Sequence, residues 1–281
     1  MSNTDISTKN LDFWNELCGS QLAEFLGITD ASVDSLKKFD DWYFDFYPYL
    51  FYHIPFDDLK GKDVLEVGLG YGTVSQKLAE SGVHYQGLDI AAGPVEMANH
   101  RLRQSNLAGS ATQGSILEPP FNPESFDVIV AIGCLHHTGD MQLAIQRCWE
   151  LLRSGGKLIF MVYYAYSYRR FHMTSEGTWE YMRRELFGYR GVVGDSAEEE
   201  RSAYDINSKG ESAPHTDWIS RRSLKCLCKK FRKFNARLEN IDQDFPYFKK
   251  NPNFKENRRE KLLLTLWPRI CGLDVYATTI K

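Results

Sequence analysis

The stretch Val64-Leu65-Glu66-Val67-Gly68-Leu69-Gly70-Tyr71-Gly72-Thr73 carries an apolar run into an acid and then into three glycines separated by single residues. Glycine turns tightly after a strand and lets a ligand approach the main chain with no Cβ in the way. A helix opening directly behind such a turn aims its unpaired N–H groups and the positive end of its dipole at a ligand's carboxylate or polar atoms. Seventeen residues after Gly72, Gly87-Leu88-Asp89 ends a second apolar run in a carboxylate, and an acid there accepts hydrogen bonds from both hydroxyls of a ribose. Taken singly, Gly68 has a plainer reading as a turn, Glu66 as a surface pair and Asp89 as a helix cap. Their order on successive strand ends favours a nucleoside site. The glycine spacing also departs from the G-x-G-x-x-G of dinucleotide sites, which argues against a nicotinamide cofactor.

A second group of residues has acid–base chemistry. The reactive end of a ligand in an open α/β sheet lies over the carboxyl ends of the strands, so the loop after the fourth strand, Ala131 to Asp140, should reach it. That loop holds His136 and His137, whose imidazoles titrate near neutrality and suit a general base; the other reading is that one ring caps the following helix. His215, in Ala213-Pro214-His215-Thr216-Asp217-Trp218, is a third candidate, set against a loop-anchoring hydrogen bond. The aromatic run Phe39 to Tyr52 is read as a helical lid, with Tyr43 and Tyr47 offering faces to a cation, or else as ordinary core. Arg169, Arg170, Arg183 and Arg184 either clamp a carboxylate or phosphate or form a solvated face. Neither an Asn/Asp-Pro-Pro-aromatic signature nor an Asp/Asn metal set is evident, so no metal is expected.

These residues need a scaffold, and residues 62–164 supply the alternation of one. Strands are expected near 63–68, 85–90, 111–116, 126–133 and 157–164, with helices near 73–81, 94–105 and 140–153, a βαβ pattern that implies a parallel sheet covered on both faces. From Ser167 to Pro214 the glycines, the run Glu198 to Glu200 and the stretch Asn207 to Ala213 suggest a mobile excursion that buries little apolar surface. Ser220 is an N-cap for a helix through Phe231, followed by a strand from Phe234 to Ile241 and a last strand from Leu273 to Ile280, paired like a hairpin at the sheet edge. Asn257 to Ile270 is a basic, leucine-rich helix. Its apolar face packs on the sheet or on a second subunit, which leaves a homodimer open; contact with a membrane surface is its other reading. The organisation expected is an aromatic helical segment at 1–58, an α/β core at 59–165, a cap or lid insertion at 166–218 and the rest of the core at 219–281.

Composition narrows the partners. A formal charge of −3 gives no general basic field for a phosphate backbone, so a nucleic-acid partner is not expected. The six cysteines, at 18, 134, 148, 226, 228 and 271, show neither paired C-x-x-C spacing nor the density of a disulfide scaffold. The polar start, Met1 to Asn10, lacks a signal-peptide core, and no apolar run is long enough to span a bilayer. A cytoplasmic setting is the expectation.

The Glu66 to Gly72 stretch, Asp89, the Phe126 to Val130 strand and Leu151-Leu152-Arg153-Ser154-Gly155-Gly156-Lys157-Leu158 together resemble the successive motifs of class I methyltransferases, and more narrowly the type-11 group that includes quinone-biosynthesis enzymes. The resemblance covers about residues 60–165. It implies an α/β fold with a doubly wound, Rossmann-like, mostly parallel sheet, an antiparallel C-terminal edge strand and a helical and loop cap. It further implies S-adenosylmethionine as cofactor and S-adenosylhomocysteine as product, and leaves the acceptor to the cap; the leading expectation is a small molecule methylated at oxygen or nitrogen, with an RNA or protein acceptor, or a non-catalytic cofactor-binding role, as the alternatives. Gly68, Gly70 and Gly72 would then wrap the methionine end, with Glu66 anchoring that network. Asp89 would hold the ribose and Ser115 and Ile116 the adenine, with Leu69, Ile90, Gly133 and Tyr43 as further cofactor-binding candidates. Many relatives carry an acid where this chain has Ser115, a hydroxyl that still accepts one hydrogen bond.

Overall fold

A computed structural model describes residues 3–17, 20–194, 197–241 and 258–281. Cys18 and Asn257 lie outside the described residues. Seven strands, β1 (Asp63–Val67), β2 (His84–Asp89), β3 (Ser110–Gln113), β4 (Phe126–Ile132), β5 (Leu152–Tyr163), β6 (Lys233–Glu239) and β7 (Asp274–Ile280), form one sheet in the order β3-β2-β1-β4-β5-β7-β6. The pairs from β3 through β5 are parallel, and β7 runs antiparallel to both β5 and β6. The antiparallel strand at the C-terminal side of the sheet is thus present; β6 lies outside it and forms the edge.

Successive side chains of a strand point to opposite faces, and both faces here are apolar. Leu65, Val67, Ile129, Ala131, Leu158 and Phe160 pack with one layer, which includes Met141, Ala144, Ile145 and Cys148 of a helix at Met141–Leu151. Val64, Val128, Val130 and Ile159 pack with the other, with Val74 and Leu78 and with Leu50 and Ile54. Strands buried on two sides require helices on two sides, which is the doubly wound architecture expected.

The helices that shape the site are α1 (Asn3–Asn15), α2 (Ser20–Phe25), α3 (Val33–Phe46), α4 (Leu50–His53), α5 (Thr73–Glu80) and α6 (Ala92–Gln104). Ser32 caps α3 by accepting the Ser35 N–H. The aromatic run is not one helix: α3 stops at Phe46 because proline at position 48 disfavours helical backbone at Tyr47, and α4 follows as a short turn. The segment 167–214 contains helices at Tyr168–Met173, Ser175–Leu186 and Glu198–Ser202, and its Tyr181, Tyr189 and Tyr204 pack with the flanking Tyr166 and Trp218, while Met173, Trp179, Leu186, Phe187 and Ile206 stay exposed. A buried tyrosine brings a large apolar ring with a hydroxyl that finds a partner, as Tyr181 does on the Gly191 carbonyl at 2.7 Å. The basic leucine-rich stretch forms two short helices, Arg258–Leu263 and Trp267–Cys271, in place of one; Leu263 and Pro268 are buried while Leu264, Leu266 and Ile270 are exposed. Ser220 does cap its helix, Arg221–Leu227, by accepting the Ser223 N–H. Among the described residues no helix is long and apolar enough to cross a membrane.

Candidate active site

A cavity of about 560 Å³ opens over the carboxyl ends of the strands. Gly68, Leu69 and Gly70, between β1 and α5, form one wall of it, and Asp89 and Ile90 at the end of β2 form the next. Ser115 and Ile116 after β3, Gly133 after β4, and Tyr43 from α3 also reach it, as does the Glu66 carboxylate. The structure therefore brings together all of the sequence-predicted cofactor residues except Gly72. That glycine, at φ +74°, precedes α5, and a Cβ there would stand 2.8 Å from Cδ of Arg101. The space beside Gly68 is likewise used by the protein, since a Cβ would fall 2.4 Å from Cβ of Cys134. Absent side chains at these two glycines admit neighbouring residues, and it is the backbone path they permit that exposes the turn to the cavity.

The two acids are held differently. Glu66 is buried and accepts hydrogen bonds at Oε2 from Ser75 Oγ and Tyr85 Oη, each at 2.6 Å. Burial pushes its carboxyl up to about 7, with those two donors opposing the rise. Asp89 accepts the N–H of Leu69 at 2.8 Å and of Ala91 at 2.9 Å, and burial raises it to about 6 against these donors. An ionised carboxylate offers roughly four acceptor positions, so Asp89 keeps capacity for ribose hydroxyls while locking the glycine turn against β2. Ser115 Oγ accepts the Leu117 N–H at 3.2 Å.

The three histidines separate. His137 lines the cavity; His136 and His215 do not stand among its lining residues. His137 Nδ1 lies 2.7 Å from the His215 carbonyl oxygen. A carbonyl only accepts, so Nδ1 carries the proton and, in the neutral ring, Nε2 keeps its lone pair. Nε2 faces Asp205 Oδ2 at 3.6 Å, and both oxygens of Asp205 take the Tyr163 hydroxyl at 3.0 and 3.1 Å. Burial holds His137 below the usual histidine range and raises Asp205. His136 is fully buried, its ring 4.1 Å from the rings of both His137 and Tyr163, and burial keeps it neutral. His215 acts on the site through its carbonyl, and its ring nitrogen lies 3.1 Å from Asp217.

Several lining residues escaped the sequence reading. Asn10 and Trp14 of α1 reach the cavity, where Asn10 donates to the His137 carbonyl at 2.7 Å and Trp14 packs on the His137 ring at 4.8 Å. Asp205, Tyr204, Asp274 and Tyr276 come from the excursion and the last strand. None of them carries a local motif; the one available signal was the aromatic richness of the segments that hold them. The arginine clamp does not form: Arg170 pairs with Glu200 at 3.0 Å, Arg169 donates to the Ala203 carbonyl at 2.8 Å, Arg184 lies over the Tyr189 ring, and none of the four arginines lines the cavity.

A glycine turn behind a buried acid, an acid on the neighbouring strand and a cavity over the strand ends of a β3-β2-β1-β4-β5-β7-β6 sheet define a Rossmann-like nucleoside-binding fold of the methyltransferase type. Residues 65–160 match the family described as "Methyltransferase domain", so the resemblance to class I S-adenosylmethionine-dependent methyltransferases holds over that core. The ubiquinone biosynthesis O-methyltransferase of Pectobacterium carotovorum subsp. carotovorum is 31% identical over 105 residues, 37% of this chain and 44% of that protein. The chain thus spans less than half the length of the curated relatives it matches. Among solved structures, the YcgJ protein of Bacillus subtilis superposes with a TM-score of 0.55 at 16% identity, covering 84% of this chain and 98% of its own. A phosphoethanolamine N-methyltransferase 2 of Haemonchus contortus, solved with phosphomonomethylethanolamine and S-adenosylhomocysteine, reaches 0.52 at 16% identity over 84% of this chain and 52% of its own. Both share the fold.

Proposed function

We propose that this protein transfers the methyl group of S-adenosylmethionine to an oxygen or nitrogen of a small-molecule acceptor. The observation that carries the reading is the continuity of one cavity from the Gly68–Asp89 wall to His137 and Asp205. Its volume falls within the ~300–1,000 Å³ of small-molecule sites. Glu66, Gly68, Leu69, Gly70, Asp89, Ile90, Ser115, Ile116, Gly133 and Tyr43 hold the cofactor, with Gly72 setting the entry of α5 behind the turn. The cofactor supplies an electrophilic methyl on a sulfonium, whose departure needs no protonation. The chain's part is alignment and removal of the acceptor's proton. His137 Nε2 is the base, Asp205 faces it, the His215 carbonyl fixes its tautomer, and His136 packs behind its ring. A cytoplasmic setting belongs to the same reading, supported by the free thiols of Cys134, Cys148, Cys226, Cys228 and Cys271. The test is calorimetric titration with S-adenosylmethionine and with NAD, followed by transfer of labelled methyl to a fractionated metabolite extract. Saturable binding of S-adenosylmethionine and one labelled product are expected; binding of NAD alone rejects the reading.

A further inference from the structure

The cavity continues well beyond the nucleoside end. Asp89 ends β2 and Asp274 opens β7, four strands apart in the sheet, which at about 4.8 Å per strand is about 19 Å. The far half is walled by the rings of Trp14, Tyr47, Tyr163, Tyr204 and Tyr276 and holds the carboxylates of Asp205 and Asp274. Among the described residues, no lysine or arginine lines the cavity. Arg169 and Arg259 are near enough for their charge to reach these acids, yet each serves other groups. Arg169 donates to the Ala203 carbonyl and lies 4.7 Å from the centre of the Tyr204 ring, while Arg259 donates to the Ile241 carbonyl at 2.7 Å, to Asn240 at 3.0 Å and to the Phe46 carbonyl. Glu16, the remaining acid of the far half, is taken up by the N–H and hydroxyl of Ser208.

An anionic acceptor would meet carboxylates and the negative faces of rings, and would be repelled by both. A cation meets opposite charge and ring faces together, the arrangement that recognises ammonium groups. Resting on the methyltransferase reading above, we propose that the acceptor is a small primary or secondary amine that enters as its ammonium ion, is held by Asp205 and Asp274 between the aromatic walls, and is methylated on nitrogen. Burial raises Asp205 and pushes Asp274 up to about 7; an ammonium beside them supplies the counter-charge that favours their ionised forms. The ionised carboxylates in turn offset the repulsion between two positive centres, sulfonium and ammonium, in one cavity.

The chemical step balances without a further reactant. The ammonium gives one proton to His137 Nε2 and becomes a neutral amine. Its nitrogen lone pair forms the new N–C bond to the methyl carbon as the S–C bond breaks, and that electron pair stays on sulfur. The products are the methylated ammonium and a neutral thioether, and protonated His137, opposite Asp205, then returns its proton to water.

The experiment uses the full chain loaded with S-adenosylhomocysteine and triplets of arylalkyl probes alike in shape: phenethylamine, 2-phenylethanol and 3-phenylpropionate, with the corresponding benzyl series. Calorimetric binding should favour the amine of each triplet by about tenfold, and Asp205→Asn should remove that preference while S-adenosylhomocysteine still binds. Equal or tighter binding of the alcohol or the carboxylate, or no binding of any amine to the loaded protein, overturns the proposal and leaves the methyltransferase reading standing. Failure of S-adenosylhomocysteine itself to bind removes both. The comparison of probes on the unaltered protein decides the matter even where Asp205→Asn does not fold.

Discussion

The Arg101 guanidinium on α6 grips both carboxylate oxygens of Asp40 on α3, at 2.8 and 3.0 Å. The Arg101 side chain is fully buried, passing over Gly72 where a side chain would collide with it. Asp40 also accepts the hydroxyl proton of Thr73, the first residue of α5, at 2.6 Å. One ion pair thus ties the N-terminal aromatic helix to the glycine turn that lines the cavity.

Removing one partner leaves a buried charge without its counter-ion, which costs about 3–5 kcal/mol, more than the pair itself contributes. Asp40→Asn is therefore expected to lower unfolding stability by that amount in urea titration, since the introduced amide oxygen and Gln76, at 3.1 Å from Arg101, are neutral acceptors that supply no counter-charge. The paired change to Asp40→Leu with Arg101→Met should recover most of the loss. A single variant within 1 kcal/mol of the parent would show that the pair is dispensable.

Gly68 adopts φ +79° and has Cys134 where its Cβ would be. Gly68→Ala therefore carries two separable costs. The left-handed backbone accounts for about 1–2 kcal/mol, and the collision adds to it. Cys134→Gly in the Gly68→Ala background should return the second cost and leave the first. Full recovery in thermal unfolding would mean that the backbone at 68 relaxes out of the left-handed region.

The central sheet was legible because its signals are local. Apolar runs buried on both faces need no distant partner to declare themselves, and the run that follows β1 brings Glu66, Gly68, Leu69 and Gly70 to the cavity from one strand end. The far half of the cavity was not legible, for Asp205 becomes a site residue only when Tyr163, 42 positions earlier, donates to it. Asn10 and Trp14 were hidden in a polar N-terminal stretch whose helix meets His137 across 127 positions. The helices within 167–214 were not legible because glycines and acids dominate its composition, while Tyr181, Tyr189 and Tyr204 find their packing partner in Trp218, beyond the segment.

Asp89 and Glu66 bind their protons more tightly folded than unfolded, with values near 6 and 7. Their contribution to the stability of the unliganded protein is thus full below the ordinary carboxyl range and is lost as pH rises from about 4 to 7. Nucleoside binding runs the opposite way, because ribose hydroxyls donate to the ionised form of Asp89. Affinity for S-adenosylhomocysteine should weaken by up to about tenfold per unit below pH 6, and Asp89→Asn should bind more weakly at pH 7.5 and show a flatter profile. A parent protein with the same affinity at pH 5 and pH 7.5 would place the sugar elsewhere.

His137 differs from the other histidines in presenting a nitrogen with a lone pair to the cavity, and the His215 carbonyl enforces that tautomer at 2.7 Å. His137→Gln keeps polarity but removes the base, so kcat for methyl transfer should fall by about 10²–10⁴ while affinity for S-adenosylhomocysteine stays within a few-fold of the parent. His215→Ala leaves the backbone carbonyl in place and should cost far less. Asp205→Asn removes the charge opposite Nε2, so the pH at which the rate rises should shift downward, since a carboxylate favours the protonated imidazole. Rate profiles of the parent and the three variants, measured with a fixed acceptor, separate these roles. An unchanged kcat in His137→Gln would leave alignment alone as the protein's contribution.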